Sequence, residues 1–149
     1  MMTTFKVYTD ASARYKAVFK QVKDARKNKR VFSSSIGAVI KNGEEEIVGS
    51  ISKRVGFQDS NYAEFLAMYL ACQHLIAHGI KKVDFYADCI NLALMVNQGC
   101  ISGKPELRKL SYAILDSLNE FEHYTMTWIP RCENKEAHTM ASKAFNKVS

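Results

Sequence analysis

Proline and glycine are scarce in this chain, two and seven among 149 residues. That scarcity excludes a collagen-like or broadly disordered polymer. Long apolar runs are missing too. The longest unbroken one, Phe65 to Cys72, has eight residues, far fewer than a bilayer span needs. The opening Met-Met-Thr-Thr-Phe-Lys leads straight into a strand-like pattern and shows no signal peptide. Cysteine occurs four times, at 72, 89, 100 and 132, and no pair has metal-ribbon or CxxC spacing. These read as free thiols, so the expectation is a cytoplasmic protein in a reducing compartment, with no membrane contact. No internal repeat, low-complexity tract or linker divides the sequence.

What is present is a globular composition, 47% hydrophobic and 24% charged, at a length that suits one domain over 1–149 with a core of its own. The net charge of +6 is unevenly spread. Residues 13–33 carry eight basic side chains against Asp24 alone, whereas the rest of the chain has 13 basic and 14 acidic residues. A local cluster of that density suits a polyanion, although a solvated basic loop has the same composition. Within it, Tyr15, Val18, Phe19 and Val22 share one helical face and suggest a short amphipathic helix.

Periodicity and turn signals order the remaining elements. Strand patterns cover Phe5–Thr9, which ends at Asp10-Ala11-Ser12, then Ile36–Ile40, and Glu45–Lys53 after an Asn42-Gly43 hairpin signal. An apolar helix over 62–78 follows, with Asn61 and Glu64 spaced as a capping box and Gly79 as its stop. A strand over 82–87, a short helix over 89–98, a helix opened by Pro105, a strand over 124–129 and a helix over 133–147 complete the chain. Short turns make the first three strands antiparallel, and helical crossovers make the later strands parallel. The expected fold is α/β, a mixed five-stranded sheet flanked by helices. Ligands of such sheets collect beyond the carboxyl ends of the parallel strands.

Two acids close strand patterns, Asp10 and Asp88, and Glu64 opens the most apolar helix. If the first and fourth strands are parallel neighbours, both aspartates reach one crevice. Carboxylates gathered there repel one another unless something neutralises them, and a hard divalent cation is the usual answer. Each acid also has a structural alternative. Asp10 would serve as a turn residue, Asp88 as a helix cap, and Glu64 as the partner of Asn61 in the capping box. His138 lies at the edge of the last helix's apolar stripe, an ordinary boundary position. His74, His78 and His123 read as structural.

Tyr8-Thr9-Asp10-Ala11-Ser12, Asn61-Tyr62-Ala63-Glu64-Phe65-Leu66-Ala67, Tyr86-Ala87-Asp88-Cys89 and the run Ile129 to His138 resemble the four active-site motifs of type 1 ribonuclease H, in the family's order and over almost the whole chain. The resemblance implies a ribonuclease H-like fold. It also implies endonucleolytic hydrolysis of the RNA strand of RNA–DNA hybrids with two Mg²⁺ or Mn²⁺ ions, by a chain expected to be monomeric. Carried over, Asp10 would bridge both ions, and Glu64 and Asp88 would support one ion and the attacking water. The family's fourth acid is replaced by His138 in Asn134-Lys135-Glu136-Ala137-His138, an imidazole that shifts preference towards Mn²⁺. Asn61 matches a residue that touches the hybrid's minor groove, and Ser12 joins the substrate contacts. Lys20, Lys23, Arg26 and Lys27 of the basic insertion are candidates for phosphate contacts. The chain departs from the family in lacking the mobile histidine before the last helix and a basic protrusion between later helices. It also has Cys89 where Ser is common and Ile90 where a groove-contacting Gln is often found. Two other functions stay open on sequence: a catalytically silent module that binds nucleic acid or protein, and another nuclease of the same fold. Asp10 followed by Ala11-Ser12 disfavours an exonuclease, which usually opens with Asp-x-Glu.

Overall fold

Alternation of side chains builds the centre of the sheet. In the register that joins β1 (Phe5–Ala17) to β2 (Arg30–Lys41), Val7 lies opposite Ile40 and Thr9 opposite Ala38, and all four are buried on one face. Tyr8 opposite Val39 and Asp10 opposite Gly37 take the other face. The computed structural model describes residues 3–17, 30–56 and 58–146. β3 (Ile47–Gly56) returns antiparallel to β2 through a turn in which the Asn42 side chain accepts from the backbone of Glu44 and Glu46, at 2.9 and 3.0 Å. The left-handed residue of that turn is Glu45, at φ 64°, rather than Gly43.

α1 (Ser60–Ala77) crosses to β4 (Lys82–Ala87), which lies parallel to β1. α2 (Ile90–Gln98) and α3 (Pro105–Leu118) then lead to β5 (His123–Trp128), parallel to β4. A 3₁₀ turn, Arg131–Glu133, precedes α4 (Lys135–Asn146). The sheet order is β3-β2-β1-β4-β5, the mixed five-stranded arrangement expected from the connections. Phe65, Met68, Leu75, Phe85, Leu92 and Ile114 fill the core between the sheet and α1–α3.

α4 covers the opposite face because β2 leaves room for its backbone. A Cβ on Gly37 would lie 2.3 Å from both the Ala137 carbonyl oxygen and the Ala141 nitrogen. Ser35 Oγ donates to the Ala141 carbonyl, Ser52 Oγ donates to Met140 O at 2.6 Å, and Lys41 pairs with Glu136 at 2.7 Å. Ala137, Ala141 and Ala144 keep that interface thin.

Four sequence expectations are corrected. β1 does not end at Asp10–Ser12 but runs on to Ala17, and β2 begins at Arg30 rather than Ile36. The two strands stay paired from Ser12↔Ser35 out to Ala17↔Arg30, so both ends of the basic segment form a two-stranded ribbon. Interleaved basic residues hid that alternation. Tyr15 therefore belongs to a strand, not to a helical face, while Val18, Phe19, Val22, Lys20, Lys23, Arg26 and Lys27 lie outside the described residues. α1 starts at Ser60, and its cap is Asp59, whose carboxylate accepts from Tyr62 N at 2.8 Å, so Asn61 is already inside the helix. The last helix begins at Lys135, because the 3₁₀ turn takes up Glu133.

Candidate active site

Parallel pairing brings two acids level. Thr9 lies opposite Ala87 where the β1–β4 ladder ends, so Asp10 and Asp88 follow it on neighbouring chains at the same height. Glu64 reaches the same point from early in α1. One oxygen of each of Asp10, Glu64 and Asp88 lies within 4.8 Å of the others. The structural alternatives for these acids do not hold. Asp10 sits in a continuing strand. α2 is capped by Cys89 with no side-chain bond, and Glu64 Oε1 accepts from Ala11 N at 3.0 Å, 53 residues away, instead of completing a helix cap.

The cluster is electrostatically loaded. Asp10 is 2% exposed, and burial, together with the charge of Asp88, raises its pKa despite the bonds it accepts. Glu64 is pushed well above the ordinary carboxylate range by burial and by the charges of Asp10 and Asp88. Its Oε2 is buried with no donor. Acids arranged in this way must hold a proton or a cation. Three hard oxygen ligands with one orphaned lone pair fit a divalent metal ion such as Mg²⁺ or Mn²⁺.

His138 projects from the first turn of α4, half exposed, with Nδ1 3.0 Å from Asp10 Oδ2. With Asp10 ionised, Nδ1 carries the proton and donates it. Nε2 is then the nitrogen left with a lone pair. His138 is thus joined to the acids through Asp10 and stands outside the set of three oxygens. Ser12 borders a recess of about 20 Å³ beside Glu64, shared with Ala11, Ser60 and Ala63. Asn61 is exposed and accepts a bond from Asn91 Nδ2 at 3.3 Å, at the edge of a cavity of about 320 Å³ between α1 and the chain that links α2 to α3. Burial pushes the Cys89 thiol up to about 11, so it stays protonated beside the acids. His74 and His78 lean on each other, with His78 Nδ1 2.8 Å from the His74 carbonyl, remote in role from the cluster.

Two residues with no role assigned on sequence also meet the site. Asn134, 1% exposed, donates from Nδ2 to Thr9 O at 2.8 Å and to Asp88 Oδ2 at 3.4 Å. Its signal was position, because it continues the buried Ala137–Ala141–Ala144 stripe of α4 as a polar residue on an apolar line. Trp128, the chain's single tryptophan, is 45% exposed at the end of β5 and donates Nε1–H to the Asp88 carbonyl at 3.2 Å.

The family model described as reverse transcriptase-like matches residues 16–144. The chain belongs to the reverse transcriptase-like family. A curated relative of this family member, Ribonuclease HI of Halobacterium salinarum, is 22% identical over 113 residues, which is 76% of this chain and 57% of the relative. The chain therefore spans little more than half the length of that relative. Among solved structures, RNase H1 of the same halophilic archaeon superposes with a TM-score of 0.79 at 19% identity, covering 97% of this chain and 99% of that one. The N-terminal RNase H domain of a Mycobacterium tuberculosis protein gives 0.80 at 16% identity, with 97% and 94% covered. LC11-RNase H1, a compost-derived protein solved in complex with an RNA/DNA hybrid, gives 0.71 at 19% identity, with 95% and 96% covered. The ribonuclease H-like fold and the type 1 resemblance read from the four motifs are both borne out. No helix among the described residues of this family member is long and apolar enough to cross a membrane.

Proposed function

We propose that this chain is an endonuclease that hydrolyses the RNA strand of RNA–DNA hybrids. The observation that carries the reading is the meeting of Asp10, Glu64 and Asp88 within 4.8 Å, with Glu64 Oε2 left without a donor. The ligand set is hard and anionic, so Mg²⁺ or Mn²⁺ is the cofactor, two ions in the full site. When bound, such ions lower the pKa of a water and neutralise charge on the attacked phosphate and the leaving 3′ oxygen. The chain's own part is positional. Asp10, 2% exposed in β1 just past the last residue paired with β4, would be the shared ligand, and Glu64 and Asp88 would complete the binding oxygens from two other elements. His138 steadies Asp10 through Nδ1 and offers Nε2 on the exposed side.

Substrate selection falls to the surface around the acids. Asn61, exposed and paired with Asn91, offers amide donors and acceptors to a minor groove, and Ser12 offers a hydroxyl beside Glu64. Choice of RNA over DNA depends on contacts with the 2′-hydroxyl. The basic insertion, with Lys20, Lys23, Arg26 and Lys27, binds phosphates of the hybrid. The chain acts as a monomeric domain in a reducing, cytoplasmic setting, in keeping with its four free cysteines.

The test is incubation of the protein with end-labelled RNA–DNA hybrid, RNA duplex and DNA duplex, each with Mg²⁺, Mn²⁺ or EDTA. Internal cleavage of RNA in the hybrid alone, abolished by EDTA, is the expected result. Binding of hybrid with no cleavage under any metal would return the chain to the silent-module reading.

A further inference from the structure

Asn134 holds no substrate and carries no charge, yet it touches every element that supplies a ligand from the sheet. Its Nδ2 has two hydrogens and two acceptors, the Thr9 carbonyl beside Asp10 and the Asp88 carboxylate. Its backbone joins the pieces that follow. Asn134 N donates to Arg131 O at 3.0 Å, and Asn134 O accepts from His138 N at 3.1 Å, which starts α4. One residue thereby ties the middle of β1, the end of β4 and the first turn of α4.

The orientation of the amide is decided by its surroundings. Turned over, Oδ1 would face two oxygens, those of Thr9 and Asp88, with no hydrogen between them. In the orientation present, Oδ1 is buried and unpartnered, which costs the desolvation of an acceptor. That cost is accepted at a place where both donors point at the acid site. Residue chemistry narrows the choice further. A lysine here would cancel the charge that attracts a cation, and an aspartate would repel Asp88. A neutral double donor fixes the carboxylate without competing for it.

We infer that Asn134 is a positioning residue that sets Asp88 against Asp10 at the spacing a divalent cation requires. This rests on the reading that Asp10, Glu64 and Asp88 hold such a cation. The carboxylate of Asp88 leaves its strand at a bend, and the Asn134 bond restricts its rotation before any ion arrives. Affinity for the ion then includes less ordering of its ligands.

The experiment compares wild type with Asn134→Ala, Asn134→Ser and a control, Ile114→Val, which loosens the core among α3 residues that bear no ligand. Mn²⁺ binding is measured by calorimetry without substrate, thermal unfolding is measured in EDTA, and hybrid cleavage is followed as metal is varied. The expected result is a Mn²⁺ dissociation constant raised roughly tenfold or more in a folded Asn134 variant, the usual effect of losing a group that orients a ligand. The metal concentration for half-maximal cleavage should move in step, and Ile114→Val should lower the unfolding midpoint alone. A folded Asn134 variant that is less stable but binds Mn²⁺ within twofold of wild type overturns the inference. So does failure of both Asn134 variants to fold in saturating Mn²⁺, which would make the role purely structural. Wild type that binds no Mn²⁺ overturns the metal-site reading itself, and this inference with it.

Discussion

Asp10 is the acid that meets both other carboxylates and His138. Its replacement by Asn keeps the volume and removes a charge that is buried, 2% exposed, beside two other acids. Asp10→Asn is expected to reduce hybrid cleavage by more than roughly a hundredfold, since even groups one step behind a metal ligand cost 10–100-fold. It should also raise the metal-free unfolding midpoint. The sign follows from linkage. Glu64 ionises near its ordinary value of 4.5 in the unfolded chain but well above it when folded. Above that value the folded chain therefore holds protons the unfolded chain has released, and this contribution to stability falls as pH rises. In EDTA, wild type should lose stability as pH rises above the ordinary carboxylate range along a slope that is shallower in Asp10→Asn, and Mn²⁺ supplied in place of EDTA should offset the loss, all readable by thermal unfolding. His138 makes a separate case. His138→Asp restores an anionic ligand and should keep activity while favouring Mg²⁺ relative to Mn²⁺. His138→Ala should shift the metal dependence to higher concentration, and a wild-type curve would reduce His138 to a boundary residue. Asp88 and Glu64 were legible in the sequence because they lie at the end of β4 and the start of α1. Asp10 was read as a strand end and stands instead within a strand that runs on to Ala17, at the point where its pairing with β4 stops. Asn134 was not assigned, because the letter alone does not say whether an asparagine is buried. Its place on the alanine stripe of α4 said so only once the helix was set on β2.

At the scale of elements, the packing of α4 on β2 depends on a missing side chain. Gly37→Ala would drive a methyl group to 2.3 Å from two backbone atoms of α4, which must move to admit it. The expected cost is roughly 3 kcal/mol, at the upper end for overpacking. That corresponds to a midpoint lower by roughly 6–12 °C. Displacement of α4 also carries Asn134 and His138 with it, so Gly37→Ala should weaken cleavage although it adds only a methyl group. Thermal unfolding and cleavage rates on the same preparation check both effects. Strand directions were legible from connection length, since short turns leave neighbours antiparallel and helical crossovers leave them parallel, whereas the order of the five strands came from the structure. The helix caps were less so. Asp59 and Asn61 are both good capping residues two positions apart, and only the bond from Tyr62 N to Asp59 decides between them. The length of β1 was hidden by charge, because Arg14 and Lys16 alternate with Tyr15 and Ala17 in a strand that composition alone assigns to a loop.

Across the whole molecule, charge and chemistry are set side by side. The strand that ends its pairing with β4 at Thr9 continues past Asp10 into the basic ribbon. Neutralising Lys20, Lys23, Arg26 and Lys27 should weaken hybrid binding and flatten its salt dependence. The log–log slope should fall by roughly 0.7–0.9 for each phosphate that is no longer neutralised. Anisotropy of labelled hybrid across a salt series, with catalysis suppressed by Asp10→Asn, reads both. An unchanged slope would make the segment a solvated arm. The other flank of the site has an optical consequence. The indole of Trp128 is anchored to the Asp88 carbonyl, half open to water, and has no second tryptophan to dilute its signal. Excited at the red edge, which spares the seven tyrosines, its emission becomes a label-free gauge of the loop that bears Asp88. The protein thus contains its own fluorophore, one hydrogen bond from the chemistry, and filling of the site can be followed as a change of colour and intensity.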